Sequence, residues 1–213
     1  MQELHTIPAT ARTDVQTPPA TAAMPAASLV RRSGLGLAAG AATFGISFLL
    51  IGPDDGATAA RIGDLAGLAF QLGLFGLLLT MLRTGATGAS RLARVMIRVE
   101  FGLLSLASTW SVLHALLPGE MRDAGWLAVL DVFWPLSMLG MFVIGIKVAV
   151  AGRWTGLIRF WPLVAESWAI VTLPAVGILG YSVGSIVGGA HMLTGYAFLG
   201  ILLAVRPQQT GAV

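Results

Sequence analysis

Residues 126–179 read WLAVLDVFWPLSMLGMFVIGIKVAVAG, then RWTGLIR, then FWPLVAESWAIVTLPAVGIL. Two long apolar runs flank a short loop that carries Arg153 and Arg159 beside Trp154 and Trp161. A helix needs about 20 apolar residues to cross a bilayer, and Lys and Arg gather on the cytoplasmic side with Trp at the interface. The stretch therefore predicts two membrane-spanning helices joined by a cytoplasmic turn. Asp131 and Glu166 lie inside the two runs, where a carboxylate needs a partner, water or a proton.

Composition extends that reading to the whole chain. Of 213 residues, 56% are hydrophobic and 11% charged, against about a quarter charged in ordinary soluble domains. Mean hydropathy is +0.82. Without a polar N-terminus, roughly 180 residues remain, enough for one bundle and no separate soluble domain. The net charge of +3 rests on Arg, and most Arg sit near helix ends, where topology and anionic lipid account for them better than nucleic acid. No Cys is present, which excludes disulfides, thiolate metal sites, cysteine-ligated clusters and a catalytic thiol.

In chain order, residues 1–30 are rich in Ala, Thr and Pro and lack an apolar stripe, so they read as a disordered cytoplasmic tail. They contain His5, read as incidental, and no secretory signal pattern. The domain from 31 to 207 then holds six spans, at about 34–51, 63–82, 99–117, 126–150, 160–179 and 182–205, and residues 208–213 form a second short tail. Gly52-Pro53-Asp54-Asp55-Gly56 and Pro118-Gly119-Glu120 mark turns. With both termini inside, the cytoplasmic flanks hold ten basic residues (Arg31, Arg32, Arg83, Arg91, Arg94, Arg98, Lys147, Arg153, Arg159 and Arg206) and the outer loops two, Arg61 and Arg122. That asymmetry sets the orientation. The fold class expected is an all-α membrane bundle of six helices, in a cell (inner) membrane. The two halves show no matching Gly/Pro interruptions, so an inverted-repeat transporter is not supported.

The stretch Gly152-Arg153-Trp154-Thr155-Gly156-Leu157-Ile158-Arg159-Phe160-Trp161-Pro162-Leu163, with Pro174 after it, resembles a pattern in uncharacterised small multi-spanning membrane proteins of actinobacteria. The likeness covers the last third of the chain. It implies a bacterial inner-membrane protein and carries no catalytic residues with it.

Several residues are candidates for chemistry. His114, Asp131 and His191 fall at similar depth near the outer face when each is counted along its helix at about 1.5 Å per residue. Two imidazoles and a carboxylate could bind a metal, share a proton or form a polar pocket; equally, each could serve a local hydrogen bond. Pro135 leaves the carbonyl of Asp131 without its helical donor, and His191 is the residue expected to meet it. Near the inner side, ion pairs are expected for Glu100 and Glu166, with Arg98, Lys147, Arg153 and Arg159 as candidate partners and Lys147 nearest in depth to Glu166. Glu100, Leu104, Ala107, Ser111 and His114 form one stripe that should face the bundle. Gly184, Gly188, His191 and Gly195 form another that admits a close helix contact or a ligand groove. Gln71 is placed to join helices.

No HExxH, Walker, GxSxG or strand-linked GxGxxG pattern occurs, which argues against an enzyme. Three functions compete. The first is a structural or accessory membrane protein, possible as a homo-oligomer through its glycine-rich faces, with the lipid bilayer as its medium and no nucleic acid. The second is a proton- or ion-coupled small-solute permease using Glu100, Asp131, Glu166 and His191. The third is a redox protein with haem or another metal, which would require His114 and His191 to face each other; no cofactor is otherwise called for.

Overall fold

The computed structural model describes residues 26–52 and 54–213. Residues 1–25 of the expected tail, with His5, lie outside them. Six helices are long and apolar enough to cross a membrane: α1 Ala27–Leu50, α2 Gly56–Thr84, α3 Arg91–Leu116, α4 Gly125–Ala151, α5 Trp161–Leu179 and α6 Tyr181–Val205. No strand occurs among the described residues. The chain is an all-helical, multi-pass membrane protein.

Each helix packs on the next in sequence, and α6 returns to α1, so the six close a ring. The face where both ends of the bundle meet is called terminal here, and the opposite face distal. Ala27 N–H donates to the carbonyl of Val213 at 2.9 Å on the terminal face. Helix α1 therefore starts at Ala27 rather than Gly34: nothing in Ala27–Val30 breaks a helix, and Val30 is fully buried. Residues 208–213 are folded too. Pro207–Thr210 form a 3-10 turn, and the Gln209 carbonyl accepts from Thr155 N–H at 2.9 Å.

Local chemistry explains the corners. Gly85 takes a left-handed conformation after α2 (φ 64°) with its N–H on Met81 O, and Ser90 caps α3 by accepting from Ala93 N–H at 3.1 Å. Only Gly180 separates α5 from α6, at φ 83° and ψ 166°, a conformation essentially restricted to glycine. Trp154, expected at an interface, is instead fully buried beneath the bundle, with its indole N–H on Thr84 Oγ1 at 2.9 Å.

Glycines set how closely the helices approach. A Cβ on Gly34 would lie 2.5 Å from Gly200 O, and one on Gly73 would lie 2.8 Å from Leu37 Cα. In the sixth-span face singled out above, Gly184 meets Val176, Gly188 meets Thr172 and Gly195 meets Ala165, all on α5. That glycine face is thus filled by a helix of the same chain. The opposite surfaces carry exposed Leu72, Leu139, Ile178 and Ile186, as a lipid-facing belt requires.

Three of the six helices are interrupted. In α4 the regular pattern breaks at Val132, one turn before Pro135, whose missing N–H and ring favour that break. In α5 it breaks at Ser167. In α6, Met192–Ala197 form a wide π turn, and Trp161 donates its indole N–H to the carbonyls of Thr194 and Gly195, 3.1 Å each.

Candidate functional site

The side chains considered above separate into a distal cluster, a cavity with an aromatic floor, and two carboxyls buried inside the bundle.

At the distal face Asp64 of α2 lies 2.8 Å from His114 Nδ1 and 3.1 Å from Arg122 Nη2. The indole of Trp110, one turn before His114, stacks on the imidazole with centroids 4.5 Å apart. Asp131 is exposed, within Coulombic range of His114 and Asp64 but bonded to neither. Asp64 was not singled out from the sequence, although a cue exists. It is the lone acid of α2, and Asp64, Gly67 and Gln71 repeat at helical spacing.

His191 does not join this cluster. Its Nε2 lies 2.9 Å from the carbonyl of Val164 and 3.4 Å from Ser167 Oγ. Val164 is near the terminal-face start of α5, so His191 sits well below Asp131. The candidate trio of His114, Asp131 and His191 is therefore not assembled. Counting depth from helix ends failed because position along one helix does not say which neighbour a side chain meets: His191 of α6 is turned to α5, where the Val164 carbonyl and Ser167 take it. For the same reason His114 and His191 do not face each other as a bis-histidine haem would require. Among the described residues, no group of three or more His, Asp or Glu is placed to share a metal ion.

Beneath the distal cluster a cavity of ≈ 300 Å³ runs between α1, α2, α3 and α4, lined by Phe44, Phe48, Asp64, Gln71, Trp110 and Trp134 among others. Gln71 Nε2 donates to Ser111 Oγ at 2.9 Å, joining α2 to α3. Gln71 Oε1 is buried without a partner. Packed beside it is an aromatic plug from five helices. Phe44 stacks on Phe70 at 5.7 Å and meets Trp134 and Trp168 at 6.2 Å, and Phe70 meets Tyr196 edge-on at 4.7 Å.

Glu100 and Glu166 flank α4. Both are 1% exposed. Ser137 donates to Glu100 Oε1 at 2.5 Å, and Tyr196 OH donates to Glu166 Oε2. Glycines of α4 make room for both: a side chain on Gly140 would collide with Glu100 Oε2, and one on Gly145 would lie 3.3 Å from Glu166 Cγ. The expected ion pairs with Arg98 and Lys147 are absent among the described residues, where the salt bridges all involve Asp64. Helix geometry gives the reason. Residues two apart point to different faces, so with Glu100 turned inward Arg98 is exposed, and with Gly145 facing Glu166, Lys147 faces elsewhere. The Glu100–Ser111 stripe does face the bundle, with Glu100, Leu104, Ala107 and Ser111 all buried.

Each carboxyl also lies at the floor of a groove on the bilayer side of α4. The groove between α3 and α4 has a volume of ≈ 470 Å³ and includes Glu100, and the one between α4 and α5 has ≈ 320 Å³ and includes Glu166. Compared with protein-family models, curated proteins and solved structures, the chain matches none of them.

Proposed function

We propose that this protein is a proton-coupled permease for small solutes, with both termini in the cytoplasm. The observation that carries the reading is the pair Glu100 and Glu166. Two carboxyls are buried inside the bundle, each bonded to a hydroxyl, and neither has a basic partner among the described residues. A bare carboxylate in such a place costs several kcal/mol, so a proton or an incoming cation must neutralise it, and exchange of one for the other is the coupling step. The distal cavity supplies a solute entrance on the face that carries the fewer arginines. The breaks in α4, α5 and α6 supply places where the bundle can bend. The accessory reading drew on the glycine-rich first and sixth spans, and the glycine face of the sixth is taken up by α5 of the same chain.

The test uses purified protein in liposomes containing a pH-sensitive dye. A panel of small cationic, neutral and anionic solutes is presented outside, with the membrane potential clamped. Solute-dependent proton movement is expected for the wild type and should vanish in the double variant Glu100→Gln, Glu166→Gln. Proton movement of equal size in that variant and the wild type would remove the carboxyls from the mechanism and the reading with them.

A further inference from the structure

We propose that the groove between α4 and α5 binds a lipophilic ammonium ion, which enters sideways from the bilayer and sets its charged head on Glu166; its role as cargo rests on the permease reading. The walls are apolar, with Met138, Leu139 and Phe142 from α4 and Ile170 and Leu173 from α5. Leu139, Ile170 and Leu173 are each more than half exposed, so the groove opens to lipid rather than to either aqueous face.

Its polar groups are all acceptors. Glu166 Oε1 is buried and has no hydrogen-bond partner, while Oε2 is taken by Tyr196. Two turns further along α5, Pro174 lies inside the helix, and its missing N–H leaves the carbonyl of Ile170, one turn from Glu166, without a helical donor. Glu166, Ile170 and Pro174 are spaced by four residues and all line the groove. A carboxyl oxygen and a backbone carbonyl, with no basic side chain lining the groove, match a head that brings N–H donors and a positive charge. A primary alkyl or aralkyl ammonium has both, and the ring of Phe142 favours a cation beside it. A carboxylate ligand would meet repulsion, and an alcohol would bring a single donor and no charge.

The experiment is calorimetric titration of the protein in nanodiscs, with empty nanodiscs subtracted, using octylammonium, octyltrimethylammonium, octanol and octanoate. Octylammonium should bind the wild type most tightly. The trimethyl compound has no N–H for the two acceptors and should bind more weakly, and octanoate should not bind. Glu166→Gln should weaken octylammonium binding by about ten- to a hundredfold, as expected for loss of a charged hydrogen-bond partner. Ala169→Leu, which keeps the carboxyl and fills the groove, should do the same, and it carries the test if Glu166→Gln fails to fold. Equal affinity in wild type and Ala169→Leu, or equal binding of octanol and octylammonium, overturns the proposal. Octylammonium binding without ammonium-dependent proton flux in liposomes would keep this site and reject the permease reading. Flux of other solutes without octylammonium binding would do the reverse.

Discussion

Glu166 and Tyr196 meet because a π turn in α6 faces the first turns of α5. Removing the phenol leaves a buried carboxyl oxygen unpaired, at a cost of about 1–3 kcal/mol. Tyr196→Phe should therefore lower thermal stability in detergent, and Glu166→Gln should lower it less when Tyr196 is already Phe. A double-mutant cycle reads that coupling; strict additivity would show that the two side chains do not interact. The same cycle on Asp131→Asn and His191→Ala should be additive within about 0.5 kcal/mol, since His191 is engaged by Val164 and Ser167 and Asp131 lies near the distal face. Here the sequence misled for a physical reason. Spacing reports which side chains share a helix face, but depth across two helices depends on where each starts and how it leans.

The contacts between helices are narrower than a hydropathy reading conveys. At the crossing of α1 and α6, a Cβ on Gly200 would lie 2.5 Å from both Ala38 N and Gly34 O. Those are backbone atoms and have no rotamer to yield. Gly200→Val should separate the two helices, with a loss of stability at the high end of the usual range for single substitutions, about 3 kcal/mol or more. Gly36, two residues beyond Gly34 on the same helix, has nothing within 4 Å of a built Cβ, so Gly36→Ala should be neutral or slightly stabilising. Unfolding curves of the two variants in one detergent check both; equal stability would mean that the α1–α6 seam is not as close as described. The legible part of the elements was their existence. Each of the six expected spans has its helix, and the polar stripe of α3 faces inward as its spacing requires. The breaks were less legible. Pro135 announced the one in α4, whereas nothing in Met192–Ala197 signals a π turn, because that geometry is imposed by the packing of Trp161 and α5 against α6.

For the molecule as a whole, the alternation of six helices places Arg31, Arg32, Arg83, Arg91, Arg94, Arg98, Arg153, Arg159 and Arg206 toward the terminal face, and Arg61 and Arg122 toward the distal one. Both distal arginines are engaged within the chain. Arg122 is held by Asp64 at 3.1 Å, and Arg61 reaches the Leu117 carbonyl at 3.4 Å. Short cytoplasmic loops carry an excess of Lys and Arg, and on that ground we propose that the terminal face is the cytoplasmic one. A reporter active only in the cytoplasm, fused after Val213, should therefore be active; the same reporter inserted after Asp55, in the turn between α1 and α2, should be silent. A reporter active only outside should give the reverse pattern at both positions. Replacing Arg91, Arg94 and Arg98 together by Gln removes three of the charges around one loop while leaving the buried stripe of α3 untouched. The remaining terminal-face arginines still outnumber the distal pair, so the orientation should survive that change. Reversal of both reporters in the triple variant would show that the α2–α3 loop alone sets the topology. If both positions reported one compartment in the wild type, an odd number of crossings would be lost between them, and the ring of six spanning helices would not be the membrane form of the protein.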